Sequence, residues 1–168
     1  MTDGPAAPRL RSLAESDLDE VLQLNQRWVP HVGSLRFDSL AELVDLAELA
    51  VGAFADGELA GFVVVLGPGA GYASPNYRYF SGRHRLFTYV DRIAIAPRAQ
   101  GTGLGRVLYE GVVDHARGVG SPVVCAEVNL DPPNPGSQAF HERLGFVEVG
   151  RQWTYDDTVQ VQMLELVL

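Results

Sequence analysis

Three glycines stand at alternate positions, Gly101, Gly103 and Gly105, and two arginines, Arg98 and Arg106, flank them. The apolar run "DRIAIA" precedes the glycines, and a run with helical spacing of apolar residues follows them. A strand that turns through glycines into a helix leaves amide N–H groups at the helix N-terminus without intrahelical acceptors. Glycine lets these amides curl towards one oxyanion, which approaches without meeting a Cβ. The pattern therefore indicates a diphosphate site, with the two arginines as charge-assisted donors.

The spacing of the glycines disfavours two common phosphate sites. A P-loop requires the pattern G-x-x-x-x-G-K-[ST], and the sequence has no lysine. A dinucleotide-binding turn requires G-x-G-x-x-G near the start of a βαβ unit, whereas here the glycines follow several elements with an antiparallel pattern. A purely structural turn is the alternative that the three glycines alone leave open.

Composition limits the classes of partner. The chain of 168 residues suits one compact domain, residues 1–168, and its net charge of −8 argues against binding nucleic acid through phosphates. A single cysteine, Cys125, cannot form an internal disulfide. The segment "MTDGPAAPRL" lacks the pattern of a signal peptide, and no apolar run approaches the roughly 20 residues of a membrane span. We therefore expect a cytoplasmic protein that binds neither nucleic acid nor membrane.

Periodicity along the chain predicts alternating strands and helices. Ser16 and Asp19 have the spacing of a capping box at the start of the first helix, and Asp56-Gly57 is typical of a tight hairpin turn. Residues 28–36 and 68–85 read as loops, and 155–157 as a turn. Helices are predicted at residues 17–26, 39–49, 104–117 and 136–144, and strands at "PRLRSL", on both sides of Asp56-Gly57, and at "RLFTYVDRIAIA", "PVVCAEVNL", "FVEVGRQW" and "TVQVQMLELVL".

Two stretches carry a resemblance to a known family. "DRIAIAPRAQGTGLGRVLYEGVVDHA", followed by "NPGSQAFHERLGF", resembles the acetyl-coenzyme A signature of the GNAT superfamily of N-acetyltransferases. The matches to R/Q-x-x-G-x-G/A are Arg98, Gly101 and Gly103, and those to N-x-x-A/S-x-x-F-Y-x-x-x-G-F are Asn134, Ser137, Phe140, Gly145 and Phe146. The order of predicted elements fits that fold across nearly the whole chain. The resemblance implies a single-domain α/β fold with a mixed, mostly antiparallel sheet of about seven strands, a V-shaped splay between two central strands, and about four flanking helices.

The resemblance implies acetyl-CoA as co-substrate and no metal. The pantetheine arm would pair with the exposed backbone of the strand that ends at Ile95, as an added strand does. The diphosphate would lie on the amides of the glycine turn, and a backbone N–H of the same strand would hold the thioester oxygen. The implied binding residues are Ile93, Ala94, Ile95, Arg98, Gln100, Gly101, Thr102, Gly103, Leu104, Gly105, Arg106, Asn134, Ser137 and Phe140.

Two carboxylates are candidates for taking the proton of the acceptor amine, which at a pKa of about 10.4 is mostly charged at neutral pH. Asp91 shares one side of its strand with Ile93 and Ile95 if that strand is regular, and Glu127 lies on the facing strand. Either could draw the proton through a water. The alternatives are a surface ion pair between Asp91 and Arg92, and a strand-end contact for Glu127.

The departing thiolate also requires a proton. The family pattern has a tyrosine after the phenylalanine of its second motif, and this chain has His141 there. An imidazole with a pKa of about 6.5 can protonate a thiolate whose thiol has a pKa of about 8.5. His141 is therefore the candidate acid, and bordering the co-substrate without a chemical role is its alternative.

The acceptor site is implied by the resemblance to lie between the first interhelical loop, the loop 68–85 and the last hairpin, around Trp153 and Tyr155. Aromatic side chains and one histidine there suit a small or medium-sized organic amine, and packing of the lid is their alternative role. The candidate acceptor-binding residues are Trp28, His31, Tyr77, Tyr79 and Phe80.

The reading that results is acetyl transfer from acetyl-CoA to a primary amine of a small molecule by direct attack in a ternary complex. A covalent route through Cys125 is disfavoured, since nothing near it in the sequence lowers its pKa. Two alternatives stay open: a protein or peptide N-terminal acetyltransferase, and a catalytically silent acyl-CoA sensor. Homodimers are common among the proteins that the chain resembles, so a second copy is a further expected partner.

Overall fold

The protein folds as one α/β unit in a computed structural model that describes residues 7–154 and 156–168. Short 3₁₀ turns at Glu15–Asp17 and Pro97–Ala99 accompany the longer elements. In chain order, these are β1 (Arg9–Ser12), α1 (Leu18–Arg27), α2 (Phe37–Leu46), β2 (Leu49–Ala55), β3 (Glu58–Leu66), α3 (Pro75–Ser81), β4 (Thr88–Ile95), α4 (Leu104–Gly118), β5 (Val123–Asp131), α5 (Pro135–Leu144), β6 (Val147–Thr154) and β7 (Val159–Val167).

The seven strands form one sheet in the order β1-β2-β3-β4-β5-β7-β6. Neighbouring strands are antiparallel except β4 and β5, which are parallel and pair only at Thr88 with Val124 and at Tyr89 with Cys125. Beyond that point the two strands diverge. The predicted fold class, strand number and V-shaped splay are confirmed.

Helices cover both faces of the sheet and give it two apolar layers. The helices α1, α2 and α3 pack on one face, where Phe62 and Tyr89 are completely buried. The helix α4 covers the other face with Leu108 and Val112, and α5 packs beside it. No helix within the described ranges is long and apolar enough to span a membrane.

Most predicted boundaries agree with the structure within a few residues, and the hairpin turn is confirmed. Asp56 and Gly57 adopt φ values of 53° and 83°, which place both residues in the left-handed region that this turn requires. The capping box of Ser16 and Asp19 is wrong. The carboxylate of Asp17 instead accepts from the amide of Ala14 at 2.7 Å and from the guanidinium of Arg11 at 2.6 and 2.8 Å.

The prediction of an uninterrupted loop over residues 68–85 is wrong, because α3 forms within it. Pro75 occupies the first turn, where its missing N–H costs nothing, and the Ser74 side chain accepts from the Tyr77 amide. The helix is only seven residues long, and its aromatic side chains hold it on the sheet. Tyr77 packs edge-on against Tyr89, with ring centroids 5.7 Å apart. The described chain thus has five helices, close to the expected number of about four.

The hydroxyl of Tyr77 ties this segment together, since it donates to the Gly67 carbonyl at 2.7 Å and accepts from the Ala70 amide at 3.0 Å. We expect Tyr77→Phe to lower the free energy of unfolding by about 1–3 kcal/mol, because both backbone groups lose a buried partner. Urea denaturation measures this change. The control is Tyr79→Phe. Tyr79 is half-buried and its hydroxyl donates one hydrogen bond to the Val149 carbonyl at 3.1 Å, so the loss of stability is expected to be smaller. An equal or larger effect of the control would contradict the assignment.

Candidate active site

A cleft opens where β4 and β5 diverge. Its walls come from both strands, from α4 and α5, and from the loop after α1, residues 30–33. Asn129 on β5 donates its side-chain amide to the Pro30 carbonyl at 2.9 Å, which fixes this loop over the cleft. The polar residues that line the cleft include Asp91, Glu127, Tyr109, Asn134, Ser137, His141 and His31.

The backbone of β4 presents unpaired groups to this cleft. The amide of Ala96 donates to the Ala60 carbonyl at 2.8 Å, and the antiparallel register then directs the backbone groups of Ala94 and Arg92 to β3. The groups of Ile93 and Ile95 point the other way, towards β5. The indole of Trp28 donates to the Ile95 carbonyl at 2.9 Å. The N–H and C=O of Ile93 and the N–H of Ile95 therefore remain available to a ligand. Ala94 was also predicted to bind the co-substrate, but its backbone N–H and C=O are directed to β3.

A bulge in β4 changes the expected position of Asp91. Val64 pairs with Arg92 and Val65 with Val90, so Asp91 has no residue opposite it on β3. The strand is therefore not regular, and the alternation that would put Asp91 on the side of Ile93 and Ile95 is broken.

Asp91 forms an ion pair with Arg92, as the alternative prediction had it, but this pair is buried. The distance from Arg92 Nε to Asp91 Oδ2 is 2.8 Å, and the side chains are 7% and 4% exposed. Arg92 also donates from Nη1 to Asn25 at 2.8 Å and to the Gly33 carbonyl at 3.0 Å. The Asp91 carboxylate thus balances a buried cation that anchors the loop after α1.

Glu127 is held by one carboxylate oxygen and free at the other. Its Oε1 accepts from the Tyr89 hydroxyl at 2.9 Å and from Asn76 Nδ2 at 3.2 Å, and Gln152 in turn donates to Asn76 at 2.7 Å. Its Oε2 is buried and has no partner among the described residues. Burial, together with the charge of Asp91, raises the pKa of Glu127 to about 8. A buried carboxylate in a cleft with one unpartnered oxygen is suited to accepting a proton.

His141 is 3% exposed and uses both ring nitrogens within the protein. Its Nδ1 lies 2.8 Å from the Ser137 carbonyl, and its Nε2 lies 2.6 Å from the hydroxyl of Tyr109. Because a carbonyl only accepts, Nδ1 carries the proton and Nε2 accepts from Tyr109. Burial lowers the pKa of His141, which favours this neutral form. The structure therefore leaves no free N–H on His141 to meet a thiolate.

The glycine turn has the backbone conformation that the sequence predicts. Gly101 and Gly103 have φ values of 73° and 85°, and a Cβ on either would meet open space. The first hydrogen bond of α4 runs from the Val107 amide to the Gly103 carbonyl at 3.2 Å. The amides of residues 104–106 precede this bond, so they are available to an anion.

The other residues predicted to bind the co-substrate divide into four groups. Gln100, Thr102 and Arg106 are exposed at the turn, whereas Leu104 belongs to the core. Gly105 and Phe140 are in contact, since a Cβ on Gly105 would lie 3.0 Å from the Phe140 ring. Asn134 caps α5 by accepting from the Ser137 amide.

The guanidinium of Arg98 points away from the glycine turn. It donates to the Leu59 carbonyl at 3.1 Å and lies 3.2 Å from the Glu58 carboxylate. Both partners belong to the start of β3, so the Arg98 side chain connects that strand to the turn.

The predicted acceptor-binding residues do not lie together. His31 borders the cleft, whereas Trp28 caps the end of β4. The structure places Tyr77 and Phe80 in the core instead, where they are 5% and 0% exposed, and Tyr79 contacts β6. Tyr155 lies outside the described residues. The aromatic residues of α3 therefore pack in the core or against β6 and do not line the cleft.

A second polar cluster lies at the join of β5 and β7. His84 Nε2 and Arg83 Nε lie 2.7 and 3.1 Å from Glu165 Oε1, and the ligand atoms of His84, Cys125 and Glu165 lie within 4.8 Å of one another. The Arg83 guanidinium already balances the charge of the Glu165 carboxylate. Burial raises the pKa of Cys125, which keeps its thiol protonated and unreactive.

The comparisons with known proteins agree with this geometry. The acetyltransferase (GNAT) family matches residues 12–146. The chain belongs to this family. It is 38% identical over 95 residues to the L-amino acid N-acyltransferase MnaT of Escherichia coli (strain K12), a match that covers 53% of this chain and 52% of that protein. The matched part thus spans about half the length of this curated relative.

Two solved structures share the fold. Ard1 from Thermoplasma volcanium has a TM-score of 0.78 and 18% identity, with 97% of this chain and 99% of that chain covered. The structure of yncA from Salmonella typhimurium with its cofactor acetyl-CoA has a TM-score of 0.70 and 18% identity, with 97% and 95% covered. Both show the fold alone, and the family predicted from the two motifs is confirmed by the family match.

Several residues of the cleft escaped the sequence analysis. Tyr89 lies two positions before Asp91 on a predicted strand, and Tyr109 follows Leu108 on the apolar face of α4. The position of each in a predicted element could therefore have identified it as a neighbour of the site. No sequence signal identified Asn76, because its segment was predicted to be a loop. Tyr89 and Asn76 now prove to be the residues that orient Glu127.

The raised pKa of Glu127 makes stability depend on pH. Because the folded pKa exceeds the unfolded one, the folded state binds more protons between about pH 4.5 and 8, and stability falls as pH rises through this range. We expect Glu127→Gln to be more stable than the parent chain above pH 8 and to lose this advantage towards pH 4.5. Thermal unfolding across this range measures the difference.

The control is Glu148→Gln, since Arg151 lowers the pKa of Glu148 on the surface. The stability difference between this variant and the parent should change little between pH 4.5 and 8, and below pH 4.5 it should change with the opposite sign. A pH-independent difference between Glu127→Gln and the parent would contradict a buried, protonated Glu127.

Proposed function

We propose that the protein transfers the acetyl group of acetyl-CoA to the primary amine of a small-molecule acceptor, by direct attack within a ternary complex. The observation that carries this proposal is the buried carboxylate of Glu127, with one oxygen unpartnered, in the cleft between the diverging strands. Acetyl-CoA supplies an activated acetyl thioester. The residues of the chain bind it, orient it and remove a proton from the acceptor.

The cleft fits an extended amide-bearing ligand that ends in a diphosphate. Ile93 and Ile95 offer two N–H donors and one C=O acceptor along the open edge of β4, which suits the alternating amides of a pantetheine arm. The amides of residues 104–106, at the N-terminus of α4, suit the diphosphate. We assign to a backbone N–H of Ile93 or Ile95 the stabilisation of negative charge on the carbonyl oxygen of the thioester.

Glu127 is the group that we assign to the proton of the acceptor. An alkyl amine has a pKa of about 10.4, so most of it is protonated at neutral pH and it must lose a proton before it attacks. A carboxylate with a pKa of about 8 accepts this proton better than an ordinary glutamate does. Asp91 is the weaker candidate, because its charge already balances Arg92.

A covered cleft favours a small acceptor over a protein N-terminus. The loop 30–33 lies over the cleft and is fixed at both ends, by Asn129 on Pro30 and by Arg92 on Gly33. The relative MnaT is named as an L-amino acid N-acyltransferase, which is in keeping with a small acceptor. An acyl-CoA sensor would need no buried proton acceptor, so Glu127 favours an enzyme over this alternative.

The glycine turn is tested by Gly103→Ala, which we expect to weaken acetyl-CoA binding at least 10-fold. A side chain at a φ of 85° forces the turn to rearrange and redirects the amides at the start of α4. Calorimetry with acetyl-CoA measures the affinity. Gly120→Ala is the matched control: Gly120 follows α4 with a φ of 73° and open space around it, so its strain is similar but remote from the turn. Equal affinities of the two variants would contradict a diphosphate on this turn.

Glu127→Gln tests the proton acceptor. We expect it to lower the rate of thiol release from acetyl-CoA by about 10²–10⁴-fold with the best of a panel of amines, while calorimetry shows unchanged acetyl-CoA binding. Asp91→Asn is the comparison: it should retain turnover, with its pH profile moved to lower pH, because the charge of Asp91 helps to raise the pKa of Glu127. For the parent, kcat/KM should rise towards a plateau above about pH 8, even with an acceptor too weakly basic to titrate there, because Glu127 must be deprotonated.

Full turnover by Glu127→Gln would remove this residue from the chemistry. If the parent chain binds acetyl-CoA in calorimetry but releases no thiol with any amine of the panel, the acyl-CoA sensor would be favoured. Turnover with peptides but with none of the small amines would favour the peptide acetyltransferase.

A further inference from the structure

The hydroxyl of Tyr109 lies where the sequence analysis expected a different proton donor. Tyr109 reaches the cleft from α4, is 2% exposed, and lines it together with Ile93 and Glu127. Its oxygen lies 2.6 Å from His141 Nε2. The hydrogen-bond donor on this side of the cleft is thus the hydroxyl of Tyr109, whereas the sequence predicted an N–H of His141 there.

Four packed rings fix the direction of this hydroxyl. The Tyr109 ring contacts those of Phe140, His141 and Phe146, with centroids 5.9, 5.3 and 5.5 Å apart. His141 is itself fixed by the bond between Nδ1–H and the Ser137 carbonyl at 2.8 Å. The lone pair on Nε2 therefore holds the Tyr109 hydroxyl in one place at the edge of the cleft.

We propose that Tyr109, and not His141, is the residue that donates a hydrogen bond to the departing thiolate, and that His141 is a positioning residue that holds the Tyr109 hydroxyl for it. This inference rests on the proposed acetyl transfer. It replaces the direct role expected for His141, because the one N–H of His141 is fixed on the Ser137 carbonyl, whereas the hydroxyl hydrogen of Tyr109 can rotate about its C–O bond.

The step balances without a further reactant. The bond between the carbonyl carbon and sulfur breaks as the bond to the amine nitrogen forms, and the sulfur keeps the electron pair. The hydroxyl hydrogen of Tyr109 turns from His141 to the sulfur. The acceptor gives its first proton to Glu127 before it attacks, and Glu127 passes this proton to water. The nitrogen loses its second proton to the freed Glu127 carboxylate as the amide forms. A thiol has a pKa of about 8.5, so the released thiolate takes its proton from water at neutral pH, and Glu127 returns its own to water.

Burial supports donation of a hydrogen bond over complete transfer of the proton. It raises the pKa of Tyr109, so the hydroxyl stays protonated at neutral pH. Hydrogen bonds to a charged acceptor in a site shielded from water are among the strong ones. The largest benefit is therefore expected when the leaving thiolate is most basic.

The test compares two acetyl donors that differ in their leaving group. With acetyl-CoA, Tyr109→Phe should lower kcat about 100-fold with unchanged binding of acetyl-CoA in calorimetry. With the acetyl thioester of an aromatic thiol, whose thiolate is less basic and needs less stabilisation, the loss should shrink at least 10-fold. His141→Phe should also lower kcat with acetyl-CoA, and His141→Gln should restore part of it, since its side-chain oxygen can accept from Tyr109.

Tyr77→Phe is the matched control, since it removes a buried hydroxyl at the loop that follows β3. This variant should leave the ratio of kcat with acetyl-CoA to kcat with the aromatic thioester unchanged. Full activity of Tyr109→Phe, or an equal loss with both donors, would overturn the role of Tyr109 while leaving acetyl transfer intact. A parent chain that releases no thiol with any amine would overturn both.

Discussion

The separation of β4 from β5 after two pairs of residues is the constraint on which the site depends. Parallel strands that stayed together would satisfy each other's backbone groups along their whole length. Here the groups of Ile93 and Ile95 face an open cleft, so one edge in the middle of the sheet behaves as a free edge. Such an edge is a template for any chain of alternating donors and acceptors.

Side chains keep the cleft open and give it its shape. The cluster of Tyr109, Phe140, His141 and Phe146 joins α4 to α5 beside the cleft. Above it, Asn129 holds the loop that follows α1. The glycine turn lies at the end of β4, so the anion site and the open strand edge follow one another directly along the chain. One short segment thereby provides both parts of an extended binding site.

Charge within the cleft is distributed unevenly between its two carboxylates. Asp91 has a buried partner in Arg92, whereas Glu127 has hydrogen-bond donors but no opposite charge in direct contact. A buried carboxylate without a cation is unfavourable for folding, and its pKa rises as a result. Groups of this kind concentrate at functional sites because their proton affinity is useful there. The orientation of Glu127 through Tyr89 and Asn76 indicates that its placement is specific.

The sequence predicts the order of strands, the glycine turn and the family, because these depend on local spacing. Gly101 and Gly103 are recognisable since their conformation requires glycine. What sequence reasoning missed depends on contacts between distant segments. The helix α3 is too short for periodicity to reveal, and the bulge at Asp91 arises from its pairing with β3. The side chain of His141 is engaged by Tyr109 from another helix, which spacing along the chain cannot show.

Amide hydrogen exchange measured by NMR tests most directly whether the open edge of β4 binds acetyl-CoA. Saturation with acetyl-CoA should slow exchange of the amides of Ile93, Ile95 and residues 104–106, while that of Ala94, already bonded to β3, should change little. Binding of acetyl-CoA with unchanged exchange at Ile93 and Ile95 would contradict the account.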